Sequence, residues 1–126
     1  MAYGDLGGPV TELIITCKTP STGDINITRG DAVKLIGPYE VDNTLTAGDR
    51  IFGQALAACS LNNTAIPVRV RGICDFAYSG AAPAVDGISG IVGATGVGAV
   101  QAGTGDTAAG IMVKVNNTAG ILEALL

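Results

Sequence analysis

Ile66-Pro67-Val68-Arg69-Val70-Arg71-Gly72-Ile73 is the stretch that decides the fold class. Its apolar residues recur at every second position, so Ile66, Val68 and Val70 point one way while Arg69 and Arg71 point the other, as in a half-buried β-strand. Pro67 cannot donate to a ladder, which makes the start of this strand an edge or the place where the chain joins the sheet. Neighbouring segments repeat the pattern. Glu12 to Cys17 is β-branched and apolar, Asp24 to Thr28 sets Ile25 and Ile27 on one face, and Ala32 to Ile36 does the same with Val33 and Leu35. Ile111 to Val115 alternates again, and Gly120 to Leu126 closes the chain. Before residue 100 no stretch shows the i, i+3, i+4, i+7 spacing of an amphipathic helix with charges between. The local helix candidates are Gly53 to Leu61 and the last few residues. About eight short strands in one domain predict an all-β protein, a small barrel or sandwich with glycine-rich turns.

The connections between these segments share a composition. Ser21-Thr22-Gly23-Asp24, Thr28-Arg29-Gly30-Asp31, Thr46-Ala47-Gly48-Asp49 and Gly103-Thr104-Gly105-Asp106 each place Gly-Asp after a pair that includes Thr. Gly supplies a positive φ and Asp bonds its own backbone, so the series reads as turns leading into strands. Asn62-Asn63-Thr64 and Asn116-Asn117-Thr118 do the same with Asn. Residues 1–23 read as an N-terminal arm and first strand, and 24–126 as the barrel or sandwich body. The irregular 1–10 segment is expected to order where it meets a neighbour, with Tyr3 and Leu6 as its sizeable anchors.

Composition points to a covered surface. The 126 residues are 48% hydrophobic but only 4% aromatic, with 19 Gly, no Trp and 14% charged residues. An average soluble domain carries roughly a quarter charged residues. So little charge describes a weakly solvated exterior that copies of the chain or a partner would cover. The net charge is −4, and Lys18, Arg29, Lys34, Arg50, Arg69, Arg71 and Lys114 are dispersed, which argues against nucleic acid. Cys17, Cys59 and Cys74 are widely spaced, sit beside apolar residues and have no His to join them, which excludes the common zinc patterns. They read as buried free thiols of a protein assembled in a reducing cytoplasm.

The first residues lack the basic and apolar regions of a signal peptide. Gly87 to Gly105 is uncharged and long enough to cross a bilayer as a helix, but seven of its 19 residues are Gly. Each would cost a helix about 0.8–1 kcal/mol relative to Ala, so short strands joined by glycine turns are expected, and no membrane role.

Catalytic tools are scarce. Without His, Ser-His-Asp and Cys-His arrangements cannot form. A carboxylate pair would draw on Asp31, Asp49, Asp75 and Asp106, three of which belong to the turn series. The Gly93 to Gly98 string lacks the GxGxxG spacing and a following helix, and no segment has the ligand density of a calcium loop. Arg29-Gly30-Asp31 spells an integrin tripeptide but is one member of the turn series. The sequons at Asn26, Asn62 and Asn116 need a secretory route to matter. The expectation is therefore a non-enzyme with no cofactor and no metal.

The order of segments resembles a known family. Thr28-Arg29-Gly30-Asp31-Ala32-Val33-Lys34-Leu35 is followed by Thr46-Ala47-Gly48-Asp49 and Phe52-Gly53-Gln54-Ala55-Leu56. Then come Val68-Arg69-Val70-Arg71-Gly72-Ile73, Ala109-Gly110-Ile111-Met112-Val113-Lys114-Val115 and Ile121-Leu122-Glu123-Ala124-Leu125. Over residues 24–126 this series is similar to the capsid decoration, or cement, family of tailed phages (domain of unknown function 2190). The resemblance implies a homotrimer bound to the major capsid protein on the outer surface of the virion, stabilising the head, with no catalytic residues. Tyr3, Leu6, Arg29, Tyr39, Arg50 and Tyr78 are the candidate capsid or subunit contacts. Residues 1–23 and the glycine-rich 87–105 segment depart from the family pattern. The alternative is a virion-surface or tail-associated module for host glycan, which needs exposed aromatics from among Tyr3, Tyr39, Phe52, Phe76 and Tyr78.

Overall fold

The computed structural model describes residues 12–103 and 106–126. The described residues form twelve strands and no helix: β1 Leu13–Lys18, β2 Ala32–Gly37, β3 Glu40–Asp42, β4 Thr44–Leu45, β5 Gly53–Ala55, β6 Ala65–Arg71, β7 Ile73–Ala77, β8 Gly90–Gly93, β9 Gly96–Val97, β10 Val100–Gly103, β11 Ile111–Asn116 and β12 Ile121–Leu125. The all-β expectation holds. The count exceeds eight largely because β3, β4, β5 and β9 are only two or three residues long, too short to display alternation.

Strands β1, β3, β2, β5 and β6 close into a small barrel in that order. β6 is its best-formed member. It pairs with β1 from Leu13↔Arg71 to Lys18↔Ala65, and with β5 at Gln54↔Arg69 and Ala55↔Val68. The alternation read from the sequence puts Ile66, Val68 and Val70 inside, where they meet Cys17, Ile27, Val33, Val41 and Ala55. Pro67 is not on an outer edge, since β6 has neighbours on both sides. The proline sits where the β5 ladder runs out, and its carbonyl still accepts from the Leu56 N–H at 3.0 Å.

Gly72 separates β6 from β7, and the chain passes into a second layer. Here β11–β12–β7 form a three-stranded antiparallel sheet, accompanied by the pairs β8–β10 and β4–β9. These surround a second core of Phe76, Ile91, Val100, Met112, Leu122, Leu45, Ile51 and small residues. Glycine makes this layer thin. A Cβ on Gly90 would stand 2.6 Å from the Ala109 carbonyl oxygen, and one on Gly103 would stand 2.5 Å from a Val92 methyl. The stretch from 87 to 103 is thus short strands and glycine turns, as expected. No helix among the described residues is long and apolar enough to cross a membrane.

Three expectations need adjustment. Gly53 to Leu61 is not helical: β5 is held between β2 and β6, and the Arg69 carbonyl approaches Gly53 too closely for any side chain. Pairing on both sides outweighs the helix propensity of the Gln-Ala-Leu-Ala-Ala run. Residues Asp24 to Thr28 make only a bridge, Ile27↔Cys59. Leu35 shares the parity of buried Val33 yet is 50% exposed, because the β2–β5 ladder ends at Val33↔Gly53.

Candidate contact surface

Two of the Gly-Asp turns are built alike. In Thr28 to Asp31 the Asp31 N–H donates to the Thr28 carbonyl at 3.1 Å, and the Thr28 N–H donates to Asp31 Oδ2 at 2.9 Å. In Thr46 to Asp49 the corresponding distances are 3.0 and 2.8 Å. Gly30 and Gly48 supply φ values of 98° and 93°, which a side chain would resist. The Ser21 to Asp24 member differs, for its Ser21 N–H goes to Glu40 Oε1 instead. Residues 104 and 105 of the fourth lie outside the described residues.

These turns occupy two of the carboxylates that a catalytic pair would need. Asp31 Oδ2 also accepts from the amide of buried Asn43 at 2.8 Å, and that amide donates to the Asn26 carbonyl as well. The Arg29-Gly30-Asp31 aspartate is therefore turned into the protein. Asp49 accepts from Lys34 Nζ at 2.9 Å, and with the Thr46 N–H this holds its carboxyl below the usual range. The described residues contain no cluster of three or more His, Cys, Asp or Glu groups suited to a metal ion.

A chain of polar contacts ties the barrel to the second layer. Glu12 Oε2 accepts from Arg69 Nε at 2.6 Å, Arg69 Nη1 donates to Gln54 Oε1 at 3.0 Å, and the Gln54 amide reaches the Asp75 carbonyl. Gln54 is buried, so these partners satisfy a side chain that would otherwise be costly to desolvate. Cys74 lies behind them, and burial pushes its thiol up to about 11. Burial raises Cys17 as well, and all three cysteines are free, but Cys59 is only partly buried, since it sits in the isolated bridge to Ile27 and not inside a strand ladder.

The remaining feature is exposed apolar surface. On the outer face of β11–β12–β7, the register aligns Ile111, Leu125 and Ile73 in one row, and Lys114, Glu123 and Asp75 in the next. A third row is Asn116, Ile121 and Ala77. Ile111, Leu125 and Ile121 are each 40–44% exposed. Leu13, Ile14, Leu35, Ile36, Val97 and Val113 are exposed as well. The outer face of β11 and β12 thus alternates exposed Ile111, Leu125 and Ile121 with the polar Lys114, Glu123 and Asn116.

The sequence candidates fall at scattered places. Tyr3 and Leu6 lie outside the described residues. Arg29 is exposed at its turn. Tyr39 is 67% exposed at the β2–β3 turn with a φ of 55°, a conformation uncommon for an aromatic residue. Arg50 donates to the carbonyls of Asp106 and Ala108 at 2.9 and 3.3 Å. Tyr78 packs against the second core and its hydroxyl meets Asn117 Oδ1 at 2.9 Å. Phe76 is wholly buried and Phe52 half-buried, which leaves Tyr39 as the prominent exposed aromatic among the described residues. The rows on β11 and β12 were missed in favour of charged and aromatic residues; apolar pairs such as Ile121-Leu122 were the available signal.

Fold and surface together define an all-β protein of a small closed barrel joined to a glycine-thinned second layer. Compared with known proteins, the sequence matches no family model and no curated protein.

Proposed function

We propose that this chain is a structural virion protein: a homo-oligomeric, trimeric capsid decoration protein that binds the major capsid protein on the outer surface of a phage head and stabilises it. The observation that carries this reading is the apolar outer face of β11–β12–β7, with Ile111, Leu125 and Ile121 on paired strands and only one row of charge between them. Such a face is a candidate for burial against another chain. The segment order resembling the cement family supplies the kind of partner. The work done is mechanical. A trimer spanning capsid seams sums several modest contacts, and once one is made the others become intramolecular.

A glycan-binding module is the second reading, and it is favoured by Tyr39 alone, exposed and held in an uncommon backbone conformation. Cryo-electron microscopy of phage heads with and without the purified chain tests the first reading. Density at three-fold and quasi-three-fold positions, with heads that better resist heat and osmotic shock, is the expected result. Particles that never carry the chain, or that behave identically without it, would falsify the proposal. Glycan-array binding lost in Tyr39→Ala would favour the second.

A further inference from the structure

A cleft of about 510 Å³ lies between the barrel and the second layer. Its lining is Leu35, Ile51, Phe52 and Leu126, with Arg50 and Arg71 on the rim and Ala109 and Gly110 completing the wall. The gap exists because β5 is so short. It pairs with β2 only at Ala32 and Val33, and with β6 only at Val68 and Arg69, so β2 beyond Val33 meets no ladder partner on that side. Leu35 and Ile36 remain 50% and 46% exposed in consequence.

The charged side chains that line the cleft are both arginines. Arg50 Nη1 is held by the Asp106 and Ala108 carbonyls, and Arg71 Nη1 by the Val70 carbonyl at 2.8 Å. Neutral oxygens hold one nitrogen of each guanidinium group, and neither group makes an ion pair with a carboxylate among the described residues. No Asp or Glu lines the cleft, although the chain as a whole carries a net charge of −4. Two cations facing an apolar floor are stabilised by an occupant that brings a carboxylate.

We infer that this cleft is a docking site for an extended segment of a partner protein carrying a carboxylate beside apolar side chains. The free edge of β2 offers backbone groups to such a segment, as in strand addition to an open sheet edge. Leu35, Phe52 and Leu126 cover its apolar side chains, and Arg50 and Arg71 receive its carboxylate. A nucleic acid would suit the arginines but not the apolar lining or the acidic remainder of the protein. The inference stands on the cleft alone and holds whether or not the partner is a capsid.

Fluorescence anisotropy of the full chain with a fluorescein-labelled peptide alternating leucine and aspartate tests it. Leucine–lysine and serine–aspartate peptides serve as probes of charge and apolarity. Saturable binding of the leucine–aspartate peptide is expected, with both counterparts at least about tenfold weaker. Arg50→Glu with Arg71→Glu should weaken it by the same order, and Leu35→Asp should do so through the apolar wall. Both arginines are exposed, and an unchanged melting curve verifies folding. Absence of saturable binding, or equal binding of all three peptides, overturns the inference. So does a charge reversal that leaves leucine–aspartate binding unchanged. If the reversal instead converts an oligomer to monomer with no peptide present, a second copy fills the cleft and the inference is also wrong.

Discussion

The barrel and the second layer solve the same packing problem in different ways. In the barrel, Ile66, Val68 and Val70 of β6, Val33 of β2 and Cys17 of β1 fill the interior, with a close backbone approach at Gly53 beside the Arg69 carbonyl. In the second layer, one large residue, Phe76, is surrounded by smaller ones while glycines let backbones approach. A core of interchangeable aliphatics tolerates small changes, since methyl-sized losses spread over many contacts. A glycine-spaced layer does not, because Gly90 and Gly110 face carbonyl oxygens and Gly103 faces a rigid valine.

The sharpest break of this comparison is Phe76→Ala. Removing the largest fully buried side chain should lower unfolding free energy by about 3–5 kcal/mol, against about 2 kcal/mol for Val68→Ala in the barrel. Urea denaturation of both variants gives the two values, and equal losses would erase the distinction. Next in size is Gly90→Ala. The added methyl meets two carbonyl oxygens at 2.6 and 2.7 Å, so a loss of about 1–3 kcal/mol is expected. Ile66→Val, which only deletes a methylene, should cost about 0.5–1.5 kcal/mol by the same measurement.

Smaller still are the effects of pH. Asp49 and Asp86 have folded-state pKa values below the ordinary carboxylate range, Asp49 through Lys34 and the Thr46 N–H, Asp86 through the N–H groups of Ile88 and Ser89. Their contribution is present above the unfolded carboxylate pKa and is lost as pH falls through the folded values. Asp86 is exposed and Asp49 partly so, and the acid limb should be shallow and flatten with salt. Asp49→Asn should remove part of it in a pH series of thermal melts. At the alkaline end the sign reverses. The raised Cys17 and Cys74 values mean that stability is full below the ordinary thiol pKa and declines as pH rises above it, toward about 11 for Cys74. An alkaline limb unchanged in Cys74→Ala would contradict that assignment.

The barrel was the more legible half. Period-two alternation in Ile66 to Arg71 reports directly on which face is buried, and Val33 and the β6 residues lie where their parity places them. Alternation could not reveal β3, β4 or β9, because two or three residues carry no period. It also misplaced Leu35, whose exposure depends on where a neighbouring strand stops, a matter of tertiary pairing. Around Gly90 and Gly103 the glycines mark backbone proximity, but nothing local says which backbone approaches. Of the candidate contacts, Arg29, Tyr39 and Arg50 are exposed, whereas the apolar rows of β11 and β12 emerge only when register sets Ile111 beside Leu125 and Ile73.

Light scattering coupled to size exclusion bears most directly on the claim that this outer face is covered by another copy. The full chain should elute with a mass of three times 12.5 kDa, and Leu125→Lys should shift it toward a single 12.5 kDa chain without changing its fold. A wild-type protein that stays monomeric at every concentration, with Leu125→Lys indistinguishable from it, would contradict the account.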